Sequence, residues 1–179
     1  HTATRLAIKI IPKIKNLNSG AHLAFYGLYA AINKELLQSL GGKTIISGEF
    51  EDSLVHLYQQ LLGNTFVNDS DCVSLKRQNF RKPMRNDLPN LNQYAKLLNG
   101  KAQSITVGYT ESTRGCKHLC RHCPIVPVYN GRFFVVQPDV VMEDIRQQVD
   151  SGAKHISFGD PDFFNGPGHA LRIVDSLHN

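Results

Sequence analysis

Apolar residues at the start of the chain recur with helical spacing. Four of them lie three or four positions apart and, with Ala7 and Ile11 beside them, predict an amphipathic helix with one buried face: Leu6, Ile10, Ile14 and Leu17. Pro12 lies inside this pattern. A proline in a helix interior removes a backbone hydrogen bond, so we expect a kink or a break there.

The segment that follows alternates short apolar runs with helical patterns. The runs at 22–26 and 43–47 predict buried strands. The amphipathic patterns at 32–40 and 54–62 predict helices, and the glycines that follow them act as stops. Helices and strands in alternation are typical of a parallel α/β sheet that is covered on both faces. We therefore interpret residues 1–64 as the C-terminal part of a Rossmann-like domain.

The segment 65–103 is polar and contains Pro83 and Pro89. A structureless segment of this length is unusual inside a compact protein, and its scattered apolar side chains can pack onto a domain. We predict an ordered linker with one short helix over 91–98.

The last part of the chain, 104–179, has the order strand, loop, helix, strand. The apolar runs at 104–109 and 154–158 predict the strands, and the helix between them is expected to begin at Pro138. Three apolar residues form the predicted buried stripe of this helix: Val141, Ile145 and Val149. Because the chain begins with a histidine and ends at Asn179 inside a further predicted helix, we expect an internal fragment of a longer protein.

Composition narrows the class of protein. The 179 residues are 41% hydrophobic and 20% charged, which is typical of a globular domain. No apolar run approaches the ~20 residues of a membrane span, and the N-terminal pattern carries too many basic residues for a signal peptide. Four cysteines, three of them in one motif, do not make a secreted disulfide framework. We expect a cytoplasmic protein with no membrane partner.

Positive charge is concentrated in the first part of the chain. Residues 1–103 hold 13 lysines and arginines against 7 aspartates and glutamates, within a net charge of +5 for the whole chain. The excess is densest in a basic segment: Lys76, Arg77, Arg81, Lys82 and Arg85. Such a segment can contact phosphate or nucleic acid. We favour a solvated connecting segment, and nucleic acid is not an expected partner.

The strongest chemical signal is the stretch 110–124, TESTRGCKHLCRHCP. It holds three cysteines at C-x3-C-x2-C spacing: Cys116, Cys120 and Cys123. A [4Fe–4S] cluster normally takes four cysteine ligands, so three on one loop leave one iron open for a small molecule. Zinc would also accept three cysteines together with His118 or His122. A disulfide with one spare thiol satisfies the same count.

Two neighbouring features bear on this choice. Gly115, directly before the first cysteine, allows close approach of the backbone to a bound group. Cys72 stands alone in a polar stretch, NDSDCVSL, and is interpreted as a bystander.

The order of strand, cysteine loop, helix and strand resembles that of the radical S-adenosylmethionine (radical SAM) enzymes. Four segments are similar to the CUAEP/CCAEP-tail subgroup of that superfamily: GYTESTRGCKHLCRHCPIVPVYNGRFF, FGDPDFFNGPGHA, AFYGLYAAINKELL and GEFEDSL. The resemblance implies an α/β fold in which a Rossmann-like domain is followed, over 104–179, by the start of a radical SAM partial TIM barrel. It also implies that the three cysteines hold a [4Fe–4S] cluster, whose open iron is chelated by S-adenosylmethionine.

The resemblance further implies a chemistry and a set of binding residues. A reduced cluster would cleave SAM to start radical chemistry on a small-molecule substrate, with an electron donor such as flavodoxin or ferredoxin. His122 stands where the family often has an aromatic residue near the adenine of SAM. The family's "GGE"-like motif, which binds the methionine amino group, is matched by position: Gly159, Asp160, Pro161 and Asp162.

The N-terminal part carries a second resemblance. The stretch SGEFEDSLVHLYQQLL is similar to the "GE-x-E" segment that closes the cobalamin-binding-type domain ahead of many radical SAM barrels. The D-x-H-x-x-G motif, whose histidine ligates cobalt, does not occur in this sequence, so we predict that residues 1–64 do not hold cobalamin by themselves. Glu49 and Glu51 are interpreted as a strand-end and a helix N-terminal carboxylate.

Three other functions stay open. Within the enzymes, the chain could serve transfer of the aminocarboxypropyl arm of SAM or cobalamin-dependent methyl transfer. From a different class, a zinc-stabilised Cys3His binding module could use the basic segment to contact nucleic acid.

Overall fold

The computed structural model describes residues 2–63, 73–100 and 103–178. The chain forms two compact units. The N-terminal unit consists of His1–Gln78 and His118–Asn130, and the C-terminal unit consists of Asn79–Lys117 and Gly131–Asn179. The domain boundaries at 64 and 103 stay a prediction. No helix within the described ranges is long and apolar enough to cross a membrane.

The N-terminal unit is an α/β structure with a parallel sheet. Its elements are α1 (Thr2–Leu17), β1 (Ala24–Tyr26), α2 (Leu28–Ile32), α3 (Lys34–Ser39), β2 (Thr44–Gly48), α4 (Glu51–Leu62), β3 (Val73–Ser74) and the short α5 (Val126–Tyr129). The strand order is β1-β2-β3, and both strand pairs are parallel. The predicted Rossmann-like fold class is confirmed.

The predicted buried face of α1 was correct only in part. Ile11 is buried and Ile14 is half-buried as predicted, whereas Leu6, Ile10 and Leu17 are exposed and Ile8 packs against the core instead. The partners of Ile8 form the apolar core of this unit: Ala30, Leu37 and Ile45. The helix also continues through Pro12 without the predicted break. Packing on either side of the proline offsets the hydrogen bond that its missing N–H removes.

The predicted helix over 32–40 is divided in two. Asn33 ends α2 and begins α3, with φ −109° and ψ 23°. Its side-chain Nδ2 donates a hydrogen bond of 2.8 Å to the carbonyl oxygen of Tyr29, so a local amide competes with helix continuation at this position.

The C-terminal unit contains a mixed sheet and a hairpin. Its elements are β4 (Lys96–Leu98), β5 (Ser104–Thr110), β6 (Thr113–Gly115), β7 (Phe133–Val135), α6 (Pro138–Asp150), β8 (His155–Phe158) and α7 (Pro167–His178). The sheet order is β4-β5-β8, in which β5 and β8 are parallel and β4 is antiparallel to β5. Two parallel strands joined through α6 form a βαβ unit. The start of a TIM barrel stays a prediction.

The predicted helix over 91–98 was wrong. Leu91–Gln93 is a single 3-10 turn, and β4 follows it. The register places Leu97 opposite Ile105. The backbone of β5 supplies hydrogen-bond partners to β4. The spacing of apolar residues within 91–98 contains no information about that neighbouring strand.

The buried face of α6 is half apolar and half polar. Val141 and Ile145 are buried as predicted, but Val149 is 51% exposed. Asp144 and Gln148 are buried instead. The apolar residues pack in the core of the unit with Val136 and Ile173. Of the polar ones, Gln148 contacts the backbone of β5, and Asp144 accepts the hydroxyl hydrogen of Thr110 at 2.9 Å.

A polar network joins α6 to β5 and to the linker. The Gln148 side chain accepts the N–H of Tyr109 at 2.7 Å and donates to its carbonyl oxygen at 3.1 Å, so one amide satisfies both backbone groups at a strand edge. The carboxylate of Asp144 accepts two hydrogen bonds from Arg85, one from Nε at 2.6 Å and one from Nη2 at 2.9 Å. Lys82 pairs with Glu143. These two members of the basic segment are therefore paired with α6.

Candidate functional site

The cysteine loop leaves and re-enters the C-terminal unit through one hairpin. Strands β6 and β7 are antiparallel, with Gly115 opposite Phe133. Three residues at the ends of the loop have left-handed backbone conformations: Gly115 with φ 71°, Asn130 with φ 44° and Gly131 with φ 80°. Glycine and asparagine adopt such angles at low cost, which explains these residue types where the chain must turn sharply.

The three cysteines of the motif are thiols in this structure. Cys116 and Cys123 are half-buried, and Cys120 is exposed. The N–H of Cys123 donates to the carbonyl oxygen of Cys120 at 3.1 Å, which makes a turn between these two. Across the described ranges, no three His, Cys, Asp or Glu side chains are gathered as a metal site requires. The role of the three motif cysteines as metal ligands stays a prediction. Cys72 lies outside the described residues.

The donor set nevertheless suits an iron–sulfur cluster. Three thiols within eight residues form the part of the loop that the hairpin closes, and Cys116 already receives an N–H group from Asn165 at 3.6 Å. Clusters of this kind are held by thiolates whose sulfur atoms accept such hydrogen bonds. His118 and His122, the histidines that zinc would need, are both exposed.

The loop after β8 is fastened to the start of the cysteine loop. Asn165 is buried, and its Oδ1 accepts the backbone N–H of Lys117 at 2.6 Å. Its Nδ2 donates to Cys116 Sγ and, at 2.6 Å, to Asp162 Oδ2. Lys117 Nζ donates to the carbonyl oxygen of Asn165 at 2.7 Å. Sequence reasoning missed Asn165, and the only signal was its place at the end of the predicted GDPDFFN loop.

The predicted SAM-binding residues after β8 differ in the contacts that they make within the C-terminal unit. Asp160 accepts hydrogen bonds from the Ser112 N–H at 3.1 Å, from Ser112 Oγ at 2.8 Å and from Thr113 Oγ1. Asp162 Oδ1 accepts the N–H of Phe164 at 3.1 Å and so begins a short 3-10 turn. Pro161 between them is exposed. Their contacts with a cofactor stay a prediction, as does that of His122.

Gly159 lies directly against the side chain of Tyr109. A Cβ at this position would lie 1.7 Å from the Tyr109 hydroxyl oxygen, and the N–H of Gly159 donates to the carbonyl oxygen of Thr110 at 2.8 Å. The hydroxyl of Tyr109 donates to Glu111 Oε1 at 2.9 Å. Partial burial, then the charge and hydrogen bond of Glu111 and the charge of Asp160, raise the pKa of Tyr109 to about 12. The phenol is therefore a neutral donor at physiological pH.

A cavity of about 770 Å³ lies in the C-terminal unit beside Tyr109. Its wall combines side chains of the sheet with those of the segment before β4, including Val107, Ser157, Leu91 and Tyr94. The volume lies within the roughly 300–1,000 Å³ of small-molecule sites. Apolar walls with a few hydroxyl and amide groups suit a partly polar organic ligand.

Basic residues next to the first cysteine are engaged within the same unit. The guanidinium of Arg114 lies 4.6 Å from the ring centroid of Phe80, and the ammonium of Lys117 lies 4.9 Å from that of Phe133. Cation–π contacts of this kind hold both side chains against aromatic faces. Both side chains therefore have an aromatic partner within the C-terminal unit.

In the N-terminal unit, Glu49 follows the last residue of β2. It is fully buried, and its Oε1 accepts the hydroxyl hydrogen of Tyr129 at 3.0 Å. Glu51 is the first residue of α4. Tyr129 belongs to α5, close after Cys123, so Glu49 fixes the later part of the cysteine loop.

Comparison with solved structures identifies a similar fold. Two structures of the radical S-adenosylmethionine methyltransferase TsrM from Kitasatospora setae are similar to this chain. One has a tryptophan substrate and a SAM analogue (aza-SAM) bound, and its TM-score is 0.72 at 16% identity. The other has cobalamin and a [4Fe–4S] cluster bound, and its TM-score is 0.68 at 15% identity.

The likeness covers 96% of this chain but only 35% and 36% of the two TsrM chains. The chain therefore spans about a third of the length of these structures. No family model and no curated protein matches the chain. At this level of identity the likeness concerns the fold, and it agrees with the predicted α/β class.

Proposed function

We propose that this chain is the cofactor-binding part of a radical SAM enzyme. In this proposal Cys116, Cys120 and Cys123 hold a [4Fe–4S] cluster, and the Gly159–Asp162 segment receives the methionine end of SAM. The observation that carries the proposal is the tie between the first cysteine and the loop after β8, through Asn165.

The topology supports the proposed arrangement. Strands β5 and β8 are parallel, so their carboxyl ends lie at the same edge of the sheet, where α/β proteins place their ligands. Asp160 joins these two ends, because its carboxylate accepts three donors from Ser112 and Thr113. The C-terminal unit thus orients the start of the cysteine loop, up to Lys117, together with the GDPD segment.

The chemistry divides between cofactor and protein. When bound, a reduced cluster supplies the electron that cleaves the carbon–sulfur bond of SAM. The protein's tasks are binding and orientation: Gly159 keeps the backbone close beneath Tyr109, and backbone carbonyls of the segment are the groups that can accept hydrogen bonds from an amino group. His122 is proposed to contact the adenine.

A metal count tests the proposal directly. The protein is purified anaerobically and reconstituted with iron and sulfide, and we expect ~4 irons per chain and a brown colour. Serine at any one of the three motif cysteines should remove most of the iron, whereas Cys72→Ser should leave it unchanged. One zinc per colourless chain would instead establish the Cys3His binding module and overturn the enzyme.

Cobalamin-dependent methyl transfer is a second candidate, and two observations favour it. The N-terminal unit has a parallel sheet with Glu49 at the end of β2, and one similar structure has cobalamin bound. We still expect that residues 1–64 alone retain no corrin. The full-length protein is incubated with hydroxocobalamin and desalted, and a stoichiometric corrin band would favour methyl transfer. Without that band, the cluster and SAM form the cofactor set.

The product of SAM cleavage separates the remaining enzyme alternatives. After reduction with dithionite, 5′-deoxyadenosine is expected if the 5′ carbon–sulfur bond breaks. Methylthioadenosine would instead show transfer of the aminocarboxypropyl arm.

A further inference from the structure

Asn165 lies at the centre of a small polar cluster around the first cysteine. The residue is 7% exposed. Its side-chain nitrogen lies 3.6 Å from Cys116 Sγ and 2.6 Å from Asp162 Oδ2, and its side-chain oxygen lies 2.6 Å from the backbone nitrogen of Lys117. These three partners orient the buried amide, because one of them is a backbone N–H group and the other two are side-chain acceptors on its opposite side.

The partners also decide which way the amide faces. The backbone N–H of Lys117 can only donate, so the atom that meets it must be the amide oxygen. The NH₂ group then faces Asp162 and Cys116. The Asp162 carboxylate accepts one N–H and leaves the second N–H for the sulfur.

We propose that Asn165 is a positioning residue for the iron–sulfur cluster. Its N–H donates to the Cys116 sulfur and thereby raises the reduction potential of the cluster. The inference rests on the proposed function, because it requires that Cys116 ligates iron.

The direction of the effect follows from charge. Reduction adds one negative charge to the cluster and its thiolates, and a hydrogen-bond donor on a ligating sulfur stabilises the more negative state. Partners of this kind also fix the orientation of a metal ligand. The Lys117 ammonium also donates a hydrogen bond of 2.7 Å to the carbonyl oxygen of Asn165, which further fixes the position of Asn165.

Two variants separate the hydrogen bond from general damage to the fold. Asn165→Asp keeps the size and the oxygen that accepts from Lys117 but replaces the NH₂ group with a second oxygen. Asn165→Ala removes the whole amide. The matched controls are Asn92→Asp and Asn92→Ala, because Asn92 is an exposed asparagine of the same unit.

The experiment measures iron per chain and the midpoint potential of the reconstituted protein, followed by visible absorbance during a reductive titration. We expect both Asn165 variants to have a more negative midpoint than wild type, with the larger shift for Asn165→Asp. The Asn92 variants should match wild type. The potential is a property of the iron-loaded molecules, so partial unfolding lowers the iron count without hiding the shift.

Each outcome supports or overturns one statement. Wild-type midpoints in both Asn165 variants, with wild-type iron, would overturn the role of Asn165 and leave the proposed function intact. A more negative midpoint in both Asn165 variants, with wild-type midpoints in the Asn92 variants, supports the role of Asn165. A wild-type protein that holds no cluster overturns the proposed function and this inference together.

Discussion

In each unit, one strand leads into a glycine that is followed by an acidic residue. At the end of β2, Gly48 is followed by Glu49; directly after β8, Gly159 is followed by Asp160. Both carboxylates accept hydrogen bonds from a part of the chain that adjoins the cysteine loop. Glu49 accepts from Tyr129 after the loop, and Asp160 accepts from Ser112 before it.

The two junctions differ in what makes the glycine necessary. Gly48 has φ 73°, and a Cβ there would lie 2.1 Å from the backbone carbonyl oxygen of Ser74. Gly159 has no left-handed backbone angle, and its close neighbour is the side chain of Tyr109. A backbone neighbour in a sheet cannot move away, whereas a half-exposed side chain can rotate. A glycine followed by an acidic residue therefore stands at a rigid junction after β2, where the neighbour is backbone, and at an adaptable junction after β8, where the neighbour is a side chain.

The largest expected effect comes from alanine at the rigid junction. Gly48→Ala combines a left-handed backbone angle with a collision against β3, and it should destabilise the fold by on the order of 3 kcal/mol. Urea denaturation measures the loss. Gly159→Ala should cost less, because the Tyr109 side chain can rotate away. Gly100→Ala is the neutral control, since no atom of the described residues, apart from its chain neighbours, lies within 4 Å of a Cβ built there. An equal loss for Gly48 and Gly159 would remove the distinction between the junctions.

The next effect concerns the carboxylate of Asp160, which accepts hydrogen bonds from three donors. Asp160→Asn leaves one acceptor oxygen for the N–H and hydroxyl groups of Ser112 and Thr113 and turns an NH₂ group toward donors. The expected loss is about 2 kcal/mol, because buried donors are left without partners. Denaturation curves of Asp160→Asn are compared with those of Asp87→Asn, which changes an exposed aspartate. A loss no greater than in the control would show that Asp160 does not hold the two strand ends together.

A smaller effect is expected at the other junction. Tyr129→Phe removes the hydroxyl that donates to Glu49 Oε1, and the expected loss is about 1 kcal/mol. Tyr58→Phe, an exposed tyrosine of the same unit, is the matched control. If Tyr129→Phe costs more than Asp160→Asn, the ranking of the two carboxylates is reversed.

The smallest effect is a dependence of stability on alkaline pH at the junction after β8. The pKa of Tyr109 is raised from 10.0 to about 12, so the folded state favours the neutral phenol. Its contribution is present below pH 10 and is lost as the pH rises toward 12. The difference in absorbance at 295 nm between wild type and Tyr109→Phe isolates the ionisation of this phenol, and we expect its midpoint at about 12. A midpoint at the ordinary value of 10.0 would contradict the assignment.

Sequence patterns predicted well where one property of the chain decided the outcome. The strands at 104–109 and 154–158 were predicted from continuous apolar runs, and each was found within one residue of its predicted ends. The start of α6 at Pro138 was also correct, since proline is favoured in a first helical turn. The spacing of the three cysteines needed no structure to be recognised.

Patterns failed where buried polar groups replaced apolar ones. Val149 has the right spacing for the core of α6, yet Gln148 is buried there because it satisfies the backbone of Tyr109. Asn165 carried no periodic signal at all. A hydrogen bond between residues 49 positions apart depends on both ends of the pair, and a local window contains only one of them.

The sequence by itself determined the α/β class, the parallel strands and the cysteine motif, because hydrophobic periodicity and ligand spacing are local properties. The tertiary structure decided which face of α1 is buried, that the segment after Gln93 is a strand, and that Asn165 meets Cys116. Each of these depends on a partner far away in the chain. Burial and hydrogen bonding are satisfied by the nearest group in space, whatever its distance in sequence.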